Sequence, residues 1–147
     1  MTDSAELPAP LAEIREDFLA VTPQERLQLL LEFSRELPDL PERYAGHPEL
    51  MERVAECQSP VYIFTELDEA RRVHLHATAP EQAPTTRGFA SVLAQGLEGL
   101  TVEQALDVPD DYPLGVGLTE AVSPLRMRGM VAMLGRIKRQ LREKTAA

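Results

Sequence analysis

Two short runs constrain the fold of this chain more than any other feature. Val61-Tyr62-Ile63-Phe64-Thr65 is β-branched and aromatic, as a mostly covered strand should be, and residues 72–77 alternate Val73, Leu75 and Ala77 with His74 and His76. Joined across residues 66–71, they predict one antiparallel hairpin. The segments on both sides repeat at helical spacing, so the chain is expected to be α+β, with helices packed on a small antiparallel sheet.

The helical signals are specific. Leu11, Ile14 and Phe18 give a first helix over residues 9–20. Thr22-Pro23-Gln24-Glu25 combines a capping threonine, a proline suited to the first helical position and a glutamate that completes a capping box. Leu27, Leu30, Leu31 and Ser34 then form the stripe of a helix that stops before Pro38. Pro38, Pro41, Gly46 and Pro48 make residues 38–50 a loop with room for one helical turn. Beyond the hairpin, Phe89, Val92, Leu93, Gly96 and Leu97 mark a middle helix with Gly99 as its stop. Thr101-Val102-Glu103-Gln104 is a second capping box, opening a helix that Pro109 limits to about two turns. Ser123-Pro124 opens the last and longest helix, whose stripe is Met130, Met133, Leu134, Ile137 and Leu141. The chain reads as one domain over residues 1–147, with residues 1–10 loosely packed.

With 147 residues, 44% of them hydrophobic, the chain is long enough to close one core without disulfides or metal. No run approaches eighteen apolar residues, and the first residues are acidic and polar, so a soluble cytoplasmic protein without a membrane partner is expected. The net charge of −9 argues against nucleic acid. That charge is uneven: residues 124–147 hold seven basic residues against one acid, +6, leaving −15 for residues 1–123. Either a basic helix face covers an acidic body, or the last helix is a docking surface. Lys138 and Lys144, the two lysines, lie in this basic stretch, where exposed ammonium groups are the ordinary outcome. A Schiff-base lysine, and with it a pyridoxal cofactor, is therefore not expected, and no other cofactor is implied.

Cys57 is the single cysteine, which excludes a disulfide framework, a Cys-rich zinc site and a cluster held only by this chain's thiolates. It lies in Val54-Ala55-Glu56-Cys57-Gln58-Ser59-Pro60, a loop tip before the first strand, where reactive groups are commonly presented. An inert buried thiol is the alternative. A reactive thiol must ionise, and Glu56 opposes that. Arg126 falls in the opening turn of the last helix, where a cation opposes the helix dipole at a cost of about 0.3–1 kcal/mol. With the free N–H groups there it can form an anion-binding corner for a thiolate, or it can simply pair with Glu120 or Asp107.

Three segments together resemble the SufE family. Glu56-Cys57-Gln58-Ser59 resembles that family's Gly-Cys-Gln-Ser. Arg87-Gly88-Phe89 resembles the Arg/Lys-Gly-Leu opening its middle helix, and Ser123-Pro124-Leu125-Arg126 with Gly129-Met130 resembles Ser-Pro-Ser-Arg-x-x-Gly-Leu. The likeness spans residues 10–142 and departs in two places: Glu56 replaces glycine, and Ala79-Pro80-Glu81-Gln82-Ala83 replaces an acidic stretch. It implies an accessory protein, not an enzyme, that takes persulfide sulfur onto Cys57 from a pyridoxal-dependent cysteine desulfurase and passes it to an iron–sulfur scaffold. Arg126 would steady the sulfur anion, with Glu56, Gln58, Ser59, Arg87 and Arg128 as binding residues. The cysteine loop would tuck over an apolar patch when idle and swing outward on Pro60 and the first strand. The IscU-type scaffolds share the fold but use several cysteines, so this chain should transfer sulfur without building the cluster. Monomer and homodimer both remain open.

Three other readings compete. His74 and His76 share a strand face and could join Cys57 around a metal. His47 could serve Cys57 as the base of a cysteine hydrolase. The chain could also be a protein-binding module of the same fold with Cys57 inert.

Overall fold

The computed structural model describes residues 7–146. Helix α1 covers Ala9–Leu19 and α2 covers Pro23–Arg35, followed by a 3-10 turn at Pro48–Leu50. Strands β1 (Glu52–Arg53), β2 (Tyr62–Leu67) and β3 (Val73–Thr78) come next, then α3 (Pro84–Leu97), α4 (Val102–Leu106) and α5 (Tyr112–Gly115). A second 3-10 turn, Leu118–Glu120, leads into α6, Pro124–Thr145. Both expected capping boxes form: Thr22 accepts from the Glu25 N–H and Thr101 from that of Gln104. The third cap is Ser123, whose hydroxyl accepts from the Arg126 N–H at 3.3 Å.

The sheet is antiparallel in the order β1-β2-β3, with Ile63 opposite Ala77 and Thr65 opposite Leu75. Ile63, Thr65, Val73, Leu75 and Ala77 are buried on the inner face, as the alternation requires. Strand β1 was not anticipated. Its two residues, Glu52 and Arg53, have no strand character of their own and are extended because they pair with Ile63 and Tyr62.

Helix α3 is central, and ten of its fourteen residues are buried, so it is covered on more than one face. Two glycines allow this. A Cβ on Gly88 would lie 2.2 Å from the Leu30 carbonyl oxygen of α2, and one on Gly96 would lie 2.2 Å from a Leu11 methyl of α1. Helix α6 runs along another edge of the core, burying Met130, Met133, Leu134, Ile137 and Leu141. It is tied to the sheet where the buried Gln140 side-chain oxygen accepts from the Thr65 N–H at 2.8 Å.

Two expectations are corrected. Lys138 is only 4% exposed: its stem is packed and its ammonium donates to the Val108 carbonyl and pairs with Asp110 at 2.7 Å. Lys144 is exposed, as expected, with its ammonium 4.2 Å above the Phe64 ring. Of the N-terminal residues expected to be loose, 1–6 lie outside the described residues. Leu7, by contrast, is buried in the core, and Pro10 already belongs to the first turn of α1.

Candidate functional site

The cysteine loop is the connection between β1 and β2. Its neck is closed by the Val54 N–H, which donates to the Val61 carbonyl at 2.8 Å, and the Cys57 N–H turns back to the Val54 carbonyl at 3.0 Å. Pro60 keeps Ser59 extended and delivers the chain into β2. The thiol, expected at an exposed tip, faces inward and leaves Cys57 only 7% exposed. The reason lies on α6. A Cβ on Gly129 would sit 2.8 Å from the Cys57 Sγ, so the sulfur occupies the space that any larger residue there would fill.

Burial pushes the Cys57 thiol up to about 11, the charge of Glu56 adds to the rise, and the guanidinium groups of Arg136 and Arg53 oppose it. In this conformation the thiol is neutral at pH 7. Cys57 nevertheless borders a narrow, largely polar cavity of about 80 Å³, whose walls include Glu56, Gln58, Ser59, Arg126 and Gly129.

Glu56, Cys57, Gln58, Ser59 and Arg126 are thus brought together, and Arg87 and Arg128 are not. Arg126 pairs with neither Glu120 nor Asp107. Glu120 is taken by Arg26 at 2.9 Å, while the Arg126 guanidinium reaches, among the described residues, only the Thr85 hydroxyl, at 3.4 Å. Arg87 braces the fold instead, donating to the Ser34 carbonyl at 2.8 Å and the Ala79 carbonyl at 2.6 Å. Arg128 is exposed on α6, outside the cavity. Among the described residues, neither Arg126 nor Arg128 has a carboxylate within ion-pair distance.

Sequence reasoning missed Arg136 and Arg53, the cations that bear on the sulfur. Arg136 was legible in principle: Gly129, Met133, Arg136 and Gln140 follow one another at helical spacing along one face of α6. Its Nη1 meets Glu52 at 2.6 Å, and its Nε donates to Glu56 at 2.9 Å. Glu52 is also held by Arg139 and, at 2.8 Å, by the Gln140 amide. Most of the basic charge in the middle of α6 therefore covers acidic partners on the body, as one of the two charge readings had it.

The histidines serve other ends. His74 bonds Glu98 through Nδ1 at 2.7 Å and Asp68 through Nε2 at 2.9 Å, and His76 Nε2 bonds Glu66 at 2.8 Å. No three His, Cys, Asp or Glu side chains converge as a metal site among the described residues. His47 lies beside Glu49, at 3.2 Å, and does not line the Cys57 cavity, so it is not placed to act as base for that thiol.

The family model described as SufE, Fe-S metabolism associated domain, matches residues 12–141. The chain belongs to the SufE family. An uncharacterized SufE-like protein of Mycobacterium tuberculosis is 53% identical over 143 residues, spanning 97% of this chain and 99% of that one. SufE-like protein 1, chloroplastic/mitochondrial, of Arabidopsis thaliana is 30% identical over 130 residues, spanning 88% of this chain and 34% of the plant protein. The solution structure of a hypothetical protein from Thermus thermophilus matches with a TM-score of 0.83 and 35% identity, covering 96% of this chain and 99% of that one. Membership of the SufE family gives the chain a role in Fe–S metabolism. No helix among the described residues is long and apolar enough to cross a membrane.

Proposed function

We propose that this SufE-family chain accepts sulfur onto Cys57 from a pyridoxal-dependent cysteine desulfurase and passes it to an iron–sulfur scaffold in the cytoplasm. The observation that carries the reading is the position of the only cysteine: its sulfur rests on Gly129, and Cys57 lines the same polar cavity as Arg126. In the transfer, the Cys57 thiolate attacks the outer sulfur of the donor's persulfide. A new S–S bond forms as the donor's S–S bond breaks, and the donor cysteine departs as a thiolate, with no net oxidation or reduction. Arg126, which has no carboxylate partner among the described residues, would hold the terminal sulfur anion, with Gln58 and Ser59 offering hydrogen bonds.

The buried, neutral thiol fits the resting form of such a carrier. Attack requires the anion, so the loop must move outward; Cys57 then loses the burial that raises its pKa and becomes reactive as it becomes accessible. Desulfurase turnover with free cysteine, followed as sulfide release, tests the reading. The chain should stimulate it, and Cys57→Ser should abolish the stimulation while leaving the circular dichroism spectrum unchanged.

The 7% exposure and raised pKa of Cys57 also favour a second reading, a binding module in which the thiol is inert. Under that reading Cys57→Ser retains full stimulation of the partner.

A further inference from the structure

We propose that Arg136 is the positioning residue of Cys57: its ion pair with Glu56 latches the cysteine loop closed, and the pair must part before the sulfur reaches solvent. The functional meaning of the latch rests on Cys57 as sulfur acceptor; its existence does not.

The geometry singles out this pair. The Arg136 guanidinium, whose side chain is 26% exposed, spans two points on the loop's N-terminal side: Glu52 in β1 at 2.6 Å and Glu56, the residue before the cysteine, at 2.9 Å. The two anchors differ in redundancy. Glu52 keeps Arg139 and Gln140 if Arg136 is lost, so β1 stays in place. Glu56 has Arg136 as its only ion-pair partner among the described residues. Beyond the neck formed by Val54 and Val61, the loop is otherwise held by the Cys57 N–H turn and by the sulfur lying against Gly129. Gly129 and Arg136 lie two helical turns apart on one face of α6, so a single rigid helix supplies both the seat and the clasp.

This arrangement also gives the departure from the family pattern at position 56 a physical role. A glutamate beside the reactive sulfur opposes ionisation, and the Arg136 guanidinium that clasps it works in the opposite sense while the loop is shut. A pair this exposed is weak enough to break reversibly, so a partner surface carrying competing charges can release it.

Alkylation of Cys57 by iodoacetamide, in the intact chain at pH 8 and well below its unfolding temperature, tests the latch without any desulfurase. The sign of one effect decides. The Arg136 guanidinium favours the thiolate, so if it acted only through its field, Arg136→Met would slow alkylation. As a latch, its removal frees the loop and should speed alkylation about threefold to tenfold. Arg136→Lys should fall between wild type and Arg136→Met. A rate for Arg136→Met equal to or below that of wild type overturns the proposal. Glu56→Gln provides a second test should Arg136→Met fail to fold. Added salt should speed alkylation of the wild type by screening the pair and should not speed that of Glu56→Gln. Equal salt acceleration in both also overturns the latch.

Discussion

Residues 36–51 and residues 54–61 are both irregular chain lying against β2, yet the first is fastened at many points and the second at few. On the outer face of the sheet, Glu66 accepts hydrogen bonds from Arg43, Tyr44 and His76, and the Tyr44 ring lies 5.5 Å from Phe64 and 5.3 Å from His76. Among the described residues, the cysteine loop has its neck, one ion pair and a sulfur set over a glycine. A segment with several aromatic and charged fastenings opens only at a cost comparable to local unfolding, whereas one with a single half-exposed ion pair opens cheaply. The difference separates a brace from a moving part within the same sheet.

Filling the seat should disturb the moving part most. Gly129→Val places a side chain where Sγ now lies and should drive Cys57 outward. Reaction with a chromogenic disulfide reagent should accelerate at least tenfold, with a stability loss of about 1–3 kcal/mol by urea unfolding. Breaking the brace should do the reverse. Glu66→Gln should lower stability by about 2 kcal/mol while leaving the Cys57 reaction rate near wild type.

The brace should also appear in the pH dependence of stability. Burial works to raise the Glu66 pKa, but hydrogen bonds from Arg43, Tyr44 and His76 outweigh it and hold the carboxyl at about 2. Because the folded value lies below the unfolded one, near 4.5, this stability is fully present above that pH. It is lost as pH falls toward 2. Urea midpoints of the wild type should fall over this range, and those of Glu66→Gln should fall less. The smallest effect is expected at His74, whose pKa is raised first by its hydrogen bond to Asp68, against the opposing effect of burial, with Glu98 adding to the rise. Here the folded value is the higher one, so the contribution is complete below about pH 6.5 and fades as pH rises through the folded value. His74→Gln should remove this slope, worth less than about 1 kcal/mol after solvent screening, and should leave Cys57 unaffected.

The brace and the moving part also differ in how far the chain announced them. The hairpin was legible because Val73, Leu75 and Ala77 alternate with polar residues, and the three caps because Thr22, Thr101 and Ser123 precede helical periodicity. Residues 107–122 were not, since Pro109, Pro113, Gly115 and Gly117 interrupt any period long enough to reveal the short turns there. At the site, Glu56 to Ser59 and Arg126 could be picked out from local motifs. The inward turn of the thiol could not, because it depends on a glycine 72 positions away that only the packing of α6 brings beneath it. Arg136 escaped notice for the same reason: a pairing between a helix and a strand edge leaves no local signature, although its spacing from Gly129 was there to be read. Lys138 shows the limit of charge patterning, which located the basic stretch but not the one ammonium drawn inside it.

The most direct test of the account is the mass of the Cys57 peptide after the intact chain is incubated with a cysteine desulfurase, cysteine and pyridoxal phosphate, then trapped with an alkylating agent. The account predicts a gain of one sulfur on that peptide, absent without the desulfurase. An unmodified Cys57 peptide, with the desulfurase turning over and stimulated by the chain, would contradict it.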